Sequence, residues 1–456
     1  MAGSSPRRAS PALVTALLVL AACRGPEGPA PWSEAWLAAE AERYLGPTAG
    51  RRAALEASLV NPANVYSRQR LQAYGRDTVG WDALPVWNPR SRLVDRAAAD
   101  ELARGAWPAR PTERLWDGQR PTSQAAWIAL GRRVFFEYPL RPEIAMEHAL
   151  VAPAPGVALP ADAAATAAAL GVERTPAGDV PGLVVFDDVD GAPRLGITCA
   201  ICHTAVRDGA VVVGAARRGL DLGALRLRYY RATGAEVAPE LARRMATWGP
   251  GRADVTEDDD EDPVAIPDLW GLRAQAFLTQ AGTIRHVGPA ALAIRQETQL
   301  LHANRLRVRP PRELAWALAM YLYALEPPAA RASGAPAEVA RGGRLFAAHC
   351  RRCHGSKVHG GGLLPAARVG TDRSLADGAA RGTGHYRIAP LVRVADGAPY
   401  LHDGSVPSLD ALLAPDRLAA GFTGGARGPG PIPGHRHGHD LTPADRAALI
   451  RYLETL

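Results

Sequence analysis

The chain is poor in cysteine, methionine and aromatic residues. Of its 456 residues, only five are cysteine, four are methionine and 6% are aromatic. The formal net charge of +7 is small for this length and the arginines are widely scattered, which argues against nucleic acid as a partner. The N-terminal apolar run from Pro11 to Ala22 is too short to span a bilayer as a helix, which needs about 20 residues.

Four of the five cysteines lie in two C-x-x-C-H boxes, Cys199-Ala-Ile-Cys202-His203 and Cys350-Arg-Arg-Cys353-His354. In such a box two thiols bond to the vinyl groups of a haem, and the following His becomes the fifth iron ligand. A zinc half-site or a thioredoxin-like redox pair also uses C-x-x-C, but neither explains the His. The sequence therefore predicts two covalently bound haem c groups, and it leaves no cysteine pair for a disulfide.

The fifth cysteine, Cys23, ends what looks like an export signal. Arg7 and Arg8 precede the apolar run, and Leu20-Ala-Ala-Cys23 resembles a bacterial lipoprotein box. The resemblance implies cleavage before Cys23 and attachment of lipid to it. The alternative is an ordinary signal peptide that leaves a free thiol. We expect an exported lipoprotein at the periplasmic face of a bacterial membrane or at the cell surface.

The fold class expected is mainly α, with two tandem cytochrome c-like helical domains after an N-terminal helical or irregular extension. The pattern helix, C-x-x-C-H, loops, closing helix occurs twice, which predicts the repeat. The predicted divisions are a signal peptide at 1–22, a linker and extension of unknown role at 23–122, a first domain at 123–330 with an insertion at about 139–190, and a second domain at 331–456. The helices expected are Ser33–Tyr44, Arg92–Arg104, Trp127–Phe136, Glu313–Leu325, Ala337–His349 and Pro443–Leu456.

The second iron lacks a methionine on its opposite face, because no Met follows Cys353. Histidine in place of Met lowers the potential of a c-type haem. We expect His402 to be this distal ligand, with His385 next and an open site third. The histidines His435, His437 and His439 lie in a Gly/Pro-rich loop, where solvation or a weak metal site is expected.

The distal ligand of the first iron stays open at the level of sequence. The candidates are Met245 and His286, together with His302 and Met320, and an open or water-occupied site carries equal weight. A ligated iron only passes electrons, whereas an open one can bind oxygen or peroxide. Arg295 and Glu297 are the nearest candidates for a distal acid or base.

A run of acidic residues from Glu257 to Asp262 is expected to be a solvated loop. Such a run could also supply carboxylates to a bound Ca²⁺, which is a minor alternative.

The order of motifs resembles the bacterial dihaem cytochrome c peroxidases. Leu130-Gly-Arg-Arg-Val-Phe-Phe136 before the first box and a second box 151 residues later carry this resemblance. Pro263–Trp270 and Ala398-Pro-Tyr-Leu-His-Asp-Gly-Ser-Val-Pro-Ser-Leu409 are more similar to the branch that contains rubber oxygenases. The resemblance covers about 123–456 and implies an electron-transfer haem at His354 and an oxygen- or peroxide-binding haem at His203.

The function expected is that of a dihaem c-type cytochrome, an oxidoreductase that passes electrons between two haems and on to peroxide or oxygen at the first. Between His203 and His286 there is no His, so the removable ligand of the peroxidases is missing. Whether the protein is an enzyme is therefore open. The alternative is a non-catalytic, membrane-anchored electron-transfer protein with both irons six-coordinate. Either one requires a redox partner protein.

Overall fold

The computed structural model describes residues 29–157, 159, 162–254, 263–330 and 334–456. The predictions of a signal peptide, a lipid on Cys23 and a Ca²⁺ site at 257–262 lie outside these residues. The structure is 42% helix and 10% strand, which confirms the mainly α fold class. Among the described helices, none has the length and apolar character needed to cross a bilayer.

The helices follow the chain in two groups, before and after residue 330, and we call these two parts of the chain the first half and the second half. Up to the end of the first half they are α1 Glu34–Leu45, α2 Thr48–Ser58, α3 Val65–Ala73, α4 Arg96–Ala103, α5 Gln124–Glu137, α6 Ile144–Leu150, α7 Ala163–Ala169, α8 Ala200–His203, α9 Leu222–Thr233, α10 Pro239–Trp248, α11 Pro289–Ala303 and α12 Arg312–Tyr323. The second half has α13 Pro336–His349, α14 Ala366–Val369, α15 Ser374–Asp377, α16 Leu409–Leu413 and α17 Pro443–Leu453.

A four-stranded antiparallel sheet leads into the first C-x-x-C-H box. Its strands are β1 Ser91–Leu93, β2 Arg141–Pro142, β3 Leu183–Asp187 and β4 Pro193–Ile197, in the order β1-β3-β4-β2. The sequence predicted helix from Arg92, but Arg92 lies in β1, and helix α4 begins at Arg96. Branched and aromatic residues at 183–186 fill β3 and are fully buried, as suits the central position of this strand.

Four two-stranded ribbons complete the strands of the described residues. They are β5 Thr204–Arg207 with β6 Ala210–Val213, β7 Arg252–Ala253 with β8 Val264–Ala265, β9 Phe277–Leu278 with β10 Ile284–Arg285, and β11 Leu363–Pro365 with β12 His385–Arg387.

Helices α5 and α12 cross at a glycine in the first half of the chain. Ser123 caps α5 by accepting a hydrogen bond from the Ala126 amide. A Cβ atom on Gly131 would lie 1.9 Å from the Ala317 carbonyl oxygen, so only glycine allows the backbones to approach this closely. One turn later, the rings of Phe135 and Tyr321 pack with their centroids 5.4 Å apart.

Helices α13 and α17 repeat this crossing in the second half. A Cβ on Gly342 would lie 2.0 Å from the Ala448 carbonyl oxygen, and the rings of Phe346 and Tyr452 lie 5.2 Å apart. Both pairs therefore place a glycine against an alanine carbonyl and a Phe against a Tyr four residues further on. These matching contacts agree with a repeated unit, although the domain boundaries stay predictions.

The N-terminal region packs on the first half through helix α11. The hydroxyls of Tyr44 and Tyr74 donate to the same carboxylate oxygen, Oε2 of Glu297, over 2.6 and 2.8 Å. Nε of Arg312 lies 3.3 Å from the other oxygen of Glu297. Residues that sequence reasoning left without a role therefore share a buried polar network with helices α11 and α12.

Candidate functional site

The first C-x-x-C-H box forms one helical turn at the end of strand β4. The backbone N–H of His203 donates to the Cys199 carbonyl over 3.2 Å, which carries the His around to the side of the two thiols. Ala200 and Ile201, between the cysteines, are fully buried. Gly182 lies against this turn, and a Cβ on it would stand 2.2 Å from the Ile201 nitrogen.

The imidazole of His203 is oriented by a backbone carbonyl. Its Nδ1 lies 3.1 Å from the Pro267 oxygen, so Nδ1 carries the proton and donates, and Nε2 keeps a lone pair. Burial lowers the pKa of His203 to about 4, which keeps the ring neutral. A neutral imidazole held through its other nitrogen is the state that a metal ligand requires.

The second box has the same local geometry. Cys350 ends helix α13, and the N–H of His354 donates to its carbonyl over 2.9 Å. Nδ1 of His354 donates to the His359 carbonyl over 2.5 Å, and burial lowers the pKa of His354. Both box histidines thus present Nε2 to a ligand site beside two free thiols.

The zinc alternative finds no support in these positions. Among the described residues, no three His, Cys, Asp or Glu side chains are grouped so as to hold a metal ion. Burial raises the pKa of Cys199 to about 12 and that of Cys350 to about 11, so both thiols are protonated at neutral pH.

A cavity of about 600 Å³ opens beside the second box, within the size range of cofactor sites. Both thiols of the box and His354 line it. Its remaining polar lining includes His402, His435, His437, Tyr386, Arg218, Arg352, Arg368 and Arg387. Three of these histidines were distal candidates or loop histidines in the sequence, so the fold brings them to one cavity with the box. The residues present therefore fit a haem.

His402 is held by an aromatic partner inside this cavity. The ring stacks on Tyr386 with centroids 4.2 Å apart, and Nε2 lies 3.1 Å from the Tyr386 hydroxyl. That hydroxyl donates to the Asp372 carbonyl over 2.7 Å, so Nε2 of His402 is the donor in the pair. Nδ1 of His402 is buried without a hydrogen-bond partner in the described residues. His402 stays a predicted iron ligand whose Nε2 is engaged elsewhere.

His435, expected from sequence to be solvated or part of a weak metal site, lines the cavity of the second box. Its Nδ1 is buried without a hydrogen-bond partner among the described residues. Burial, followed by the neighbouring His354 and His437, lowers the pKa of His435 to about 3. The imidazoles of His354 and His435 are therefore close enough to interact. Burial is the main cause of the lowered pKa of His402, ahead of the opposing charges of Asp403 and Asp372.

The loop that carries His435 is largely exposed, as expected, but His435 itself is only partly exposed, and a buried arginine holds its backbone. Arg417 has no exposed surface, and its Nη2 donates to the carbonyls of Gly434 and His435 over 2.6 and 2.9 Å. His437 is exposed, as predicted. The alternating His-x-His-x-His pattern was the signal available in the sequence. Its Gly/Pro-rich surroundings concealed it.

Two other histidines of the second half, His359 and His385, bond to backbone carbonyls. Nδ1 of His385 lies 2.8 Å from the Thr383 oxygen, and Nδ1 of His359 lies 3.1 Å from the His354 oxygen. His385 does not line the cavity that contains the second box. The structure therefore gives His385 less support than His402 or His435.

The distal candidates for the first iron are all engaged in packing. His286 donates from Nδ1 to the Gln275 carbonyl over 2.7 Å, and its Nε2 accepts from the Tyr323 hydroxyl. Met320 lies inside the buried helix α12. Met245 is buried in the apolar cluster that includes Ile201 of the first box, not on an exposed helix face. His302 packs edge-on against an aromatic ring of the N-terminal region.

Arg295 and Glu297 lie on different sides of helix α11. Arg295 is close enough to contribute to the lowered pKa of His203, after burial and Arg218. Glu297 is buried against the N-terminal tyrosines and Arg312, so its carboxylate is already occupied. The structure retains Arg295 as a candidate beside the first box and removes the acid–base role expected for Glu297.

One short segment touches both box regions. The carbonyl of Pro267 accepts the hydrogen bond from His203, and residues 265–268 line the cavity of the second box. Trp270, fully buried, also lines that cavity and donates from its indole N–H to the Val213 carbonyl over 3.0 Å. The first box and the second cavity are therefore separated by little more than this segment.

Comparison with known proteins identifies a cytochrome c-like region. Residues 385–422 match a protein-family model described as "RoxA-like, cytochrome c-like". The match contains all of Ala398–Leu409, a segment on which the sequence resemblance rests, and it includes His402. No curated protein matches the chain.

A solved structure that is similar is described as a MauG-like protein associated with microbial copper homeostasis. It is 17% identical, and the alignment covers 47% of this chain and 81% of that one, with a TM-score of 0.31. The family match agrees with the predicted cytochrome c-like character of the region that contains residues 385–422.

Proposed function

We propose that the protein is a dihaem c-type cytochrome that works as an oxidoreductase. The observation that carries the proposal is the shared geometry of the two boxes. In each, the His amide bonds to the first Cys carbonyl, and Nδ1 donates to another backbone carbonyl, so that Nε2 stays available. Cys199, Cys202 and His203 would hold one haem, and Cys350, Cys353 and His354 the other. A haem iron supplies one-electron transfer when bound.

Electron exchange between the two sites is supported by the segment 265–270. Pro267 orients the imidazole of the first box, and its neighbours line the second cavity. The buried indole of Trp270 excludes water from this boundary. A water-free and rigid boundary rearranges little when an electron crosses it, which favours electron transfer between the two haem sites.

For the opposite face of the second iron the cavity offers His402 and His435. His435 is favoured, because its side chain lines the cavity and makes no hydrogen bond among the described residues. His402 would first have to give up the bond between Nε2 and the Tyr386 hydroxyl. With His435 as the ligand, His402 and Tyr386 stay hydrogen-bonded to each other and form one wall of the cavity.

For the first iron we propose an open distal position, with reduction of peroxide or activation of oxygen as the reaction class. This rests on the engaged state of both nitrogens of His286 and on Arg295 as a cation beside the box. The second candidate function is electron transfer alone, favoured by the burial of Met245 in the cluster that includes Ile201. Export and a lipid anchor at Cys23 belong to both proposals.

The test is spectroscopy on protein from a host competent in c-type cytochrome maturation. The intact mass should rise by two haems, and alkaline pyridine should give the spectrum of thioether-bound haem. Ferric protein with an open first site should show one high-spin and one low-spin haem, and cyanide should shift only the former. Two low-spin haems inert to cyanide and peroxide would leave the electron-transfer alternative. Colourless protein would refute both.

A further inference from the structure

The two C-x-x-C-H boxes differ sharply in what lies between their cysteines. In the first box these residues are Ala200 and Ile201, which are fully buried. In the second they are Arg351 and Arg352, which are both exposed. The first box thus faces the interior of the protein, and the second brings two cations to the surface beside its thiols.

Further positive charge surrounds the second box. Lys357, the only lysine of the chain, lies three residues after His354 and is exposed. Arg368 is exposed and, like Arg352, lines the cavity of the second box. We call Arg351, Arg352, Lys357 and Arg368 the basic face.

The charges of the basic face are not neutralised. In the part of the chain that the structure describes, these four side chains make no hydrogen bond or ion pair, whereas many other arginines do. Arg341, on the helix that precedes the box, pairs with Asp445 at 2.7 Å, and Asp440 lies 3.9 Å from His349. The nearby acids are thus directed to other partners, and Arg351 and Lys357, which do not line the cavity, keep their charge for a molecule outside the chain.

We infer that the basic face is the docking site of an acidic electron-transfer protein that reduces the second haem. In this step the partner's reduced centre loses one electron and the iron held by His354 gains it, with no proton moved. Unpaired cations at the rim of a cofactor cavity raise the rate of encounter with an anionic partner and orient it. The buried first box offers no comparable face. The inference rests on the proposed function for the transfer itself, but docking can be measured without it.

The binding test uses haem-loaded protein and fluorescein-labelled poly-L-glutamate as the acidic probe. Fluorescence anisotropy should detect binding at low ionic strength that weakens as salt is added. Arg351→Gln with Arg352→Gln should weaken it about tenfold. The matched control is Arg76→Gln with Arg90→Gln, which removes two exposed arginines of the N-terminal region that likewise have no bond among the described residues. Equal loss in both variants would overturn the inference.

Because the first variant alters a haem box, a second variant lies outside both the box and the cavity. Lys357→Gln should weaken binding by a smaller factor at unchanged haem content, since Lys357 does not line the cavity. In the wild type, poly-L-glutamate should also protect Lys357 from amine acylation, which peptide mass mapping reads at a single position since the chain has no other lysine. Full acylation in the presence of saturating probe would place the binding elsewhere.

The kinetic test compares two small oxidants of opposite charge. The protein is first reduced with dithionite, and its oxidation rates by anionic ferricyanide and by cationic tris(phenanthroline)cobalt(III) are measured. Each rate is divided by the rate of the same oxidant with a neutral reference cytochrome. The normalised rate should be higher for ferricyanide. Removal of the four cations should narrow the difference. If neither haem can be reduced, the proposed function fails. If both haems cycle but the oxidant preference stays unchanged in the variants, the docking inference fails.

Discussion

Gly342 lies so close to Ala448 that a Cβ atom on the glycine would stand 2.0 Å from the alanine carbonyl oxygen. Real Cβ atoms do not approach oxygen this closely, so helices α13 and α17 would have to separate to admit any side chain. Gly131 stands in the same relation to Ala317. At each crossing the glycine lets a helix pack close to the segment that carries a C-x-x-C-H box. The position of the box therefore depends on the glycine.

We expect Gly342→Ala to destabilise the protein by about 1–3 kcal/mol, because overpacking a tight contact forces backbone shifts. The neighbouring Gly343 is the matched control, since its Cβ would meet only ring atoms of Tyr452 at 3.4 Å. Gly343→Ala should be neutral or stabilise by about 0.5–1 kcal/mol, because alanine is the better helix former. Urea unfolding of the haem-loaded variants, followed by far-UV circular dichroism, measures both. Equal effects of the two changes would mean that the crossing tolerates a methyl group.

The boxes and the helices around them could be predicted because their signals are local. Two cysteines and a His in five residues carry the chemistry, and the apolar spacing of residues 127–136 carries the helix. The contact of Tyr44 with Glu297 spans 253 residues, and neither residue has a pattern that reveals the other. Arg417, from another segment, likewise donates to the His435 carbonyl, and no local pattern connects these two residues.

The distal ligand of the second haem can be assigned by two substitutions. His435→Ala should convert that haem from low spin to high spin, because the fifth ligand alone gives a weaker field. His402→Phe should retain the low-spin signal while preserving the stack on Tyr386. His437→Ala, at an exposed position two residues from His435, is the control for disturbance of the loop.

Electron paramagnetic resonance of the ferric protein gives the readout for these three variants. A low-spin signal that survives in His435→Ala and disappears in His402→Phe would reverse the assignment. It would then follow that haem insertion breaks the bond between His402 and the Tyr386 hydroxyl.

A buried acid next to the first box should make stability depend on pH. Burial would raise the pKa of Glu143, but Arg226 and Arg141 lower it by more, and the net shift is downward. Arg226 binds both carboxylate oxygens of Glu143, at 2.6 and 3.1 Å. A folded pKa below the unfolded value means that this stabilisation is present above the unfolded pKa and is lost as pH falls through the folded pKa.

Glu143→Gln should therefore cost about 3–5 kcal/mol near pH 7, since it leaves buried arginines without a counter-charge. The gap between wild type and variant should shrink below about pH 4.5, where the carboxylate of the unfolded wild type takes up its proton. Urea unfolding midpoints from pH 3 to pH 7 test this. A gap that stays constant down to pH 3 would show that ionised Glu143 contributes nothing.

The N-terminal region should be coupled energetically to helix α11 through Glu297. Burial first, and then the charge of Glu297, raise the pKa of Tyr44 and of Tyr74 well above 10, so both hydroxyls remain donors. Tyr44→Phe should cost about 1.5–3 kcal/mol, the range for a hydrogen bond to a charged group. Tyr229→Phe, whose hydroxyl makes no hydrogen bond within the described residues, should cost much less.

A double-mutant cycle shows whether the two tyrosines act through one carboxylate oxygen. Since both hydroxyls donate to Oε2 of Glu297, the double variant Tyr44→Phe with Tyr74→Phe should differ from the sum of the single changes by about 0.5–3 kcal/mol. The cycle is read from urea unfolding of the haem-loaded protein. Strict additivity would mean that the two hydroxyls contribute independently, in spite of their shared acceptor on helix α11.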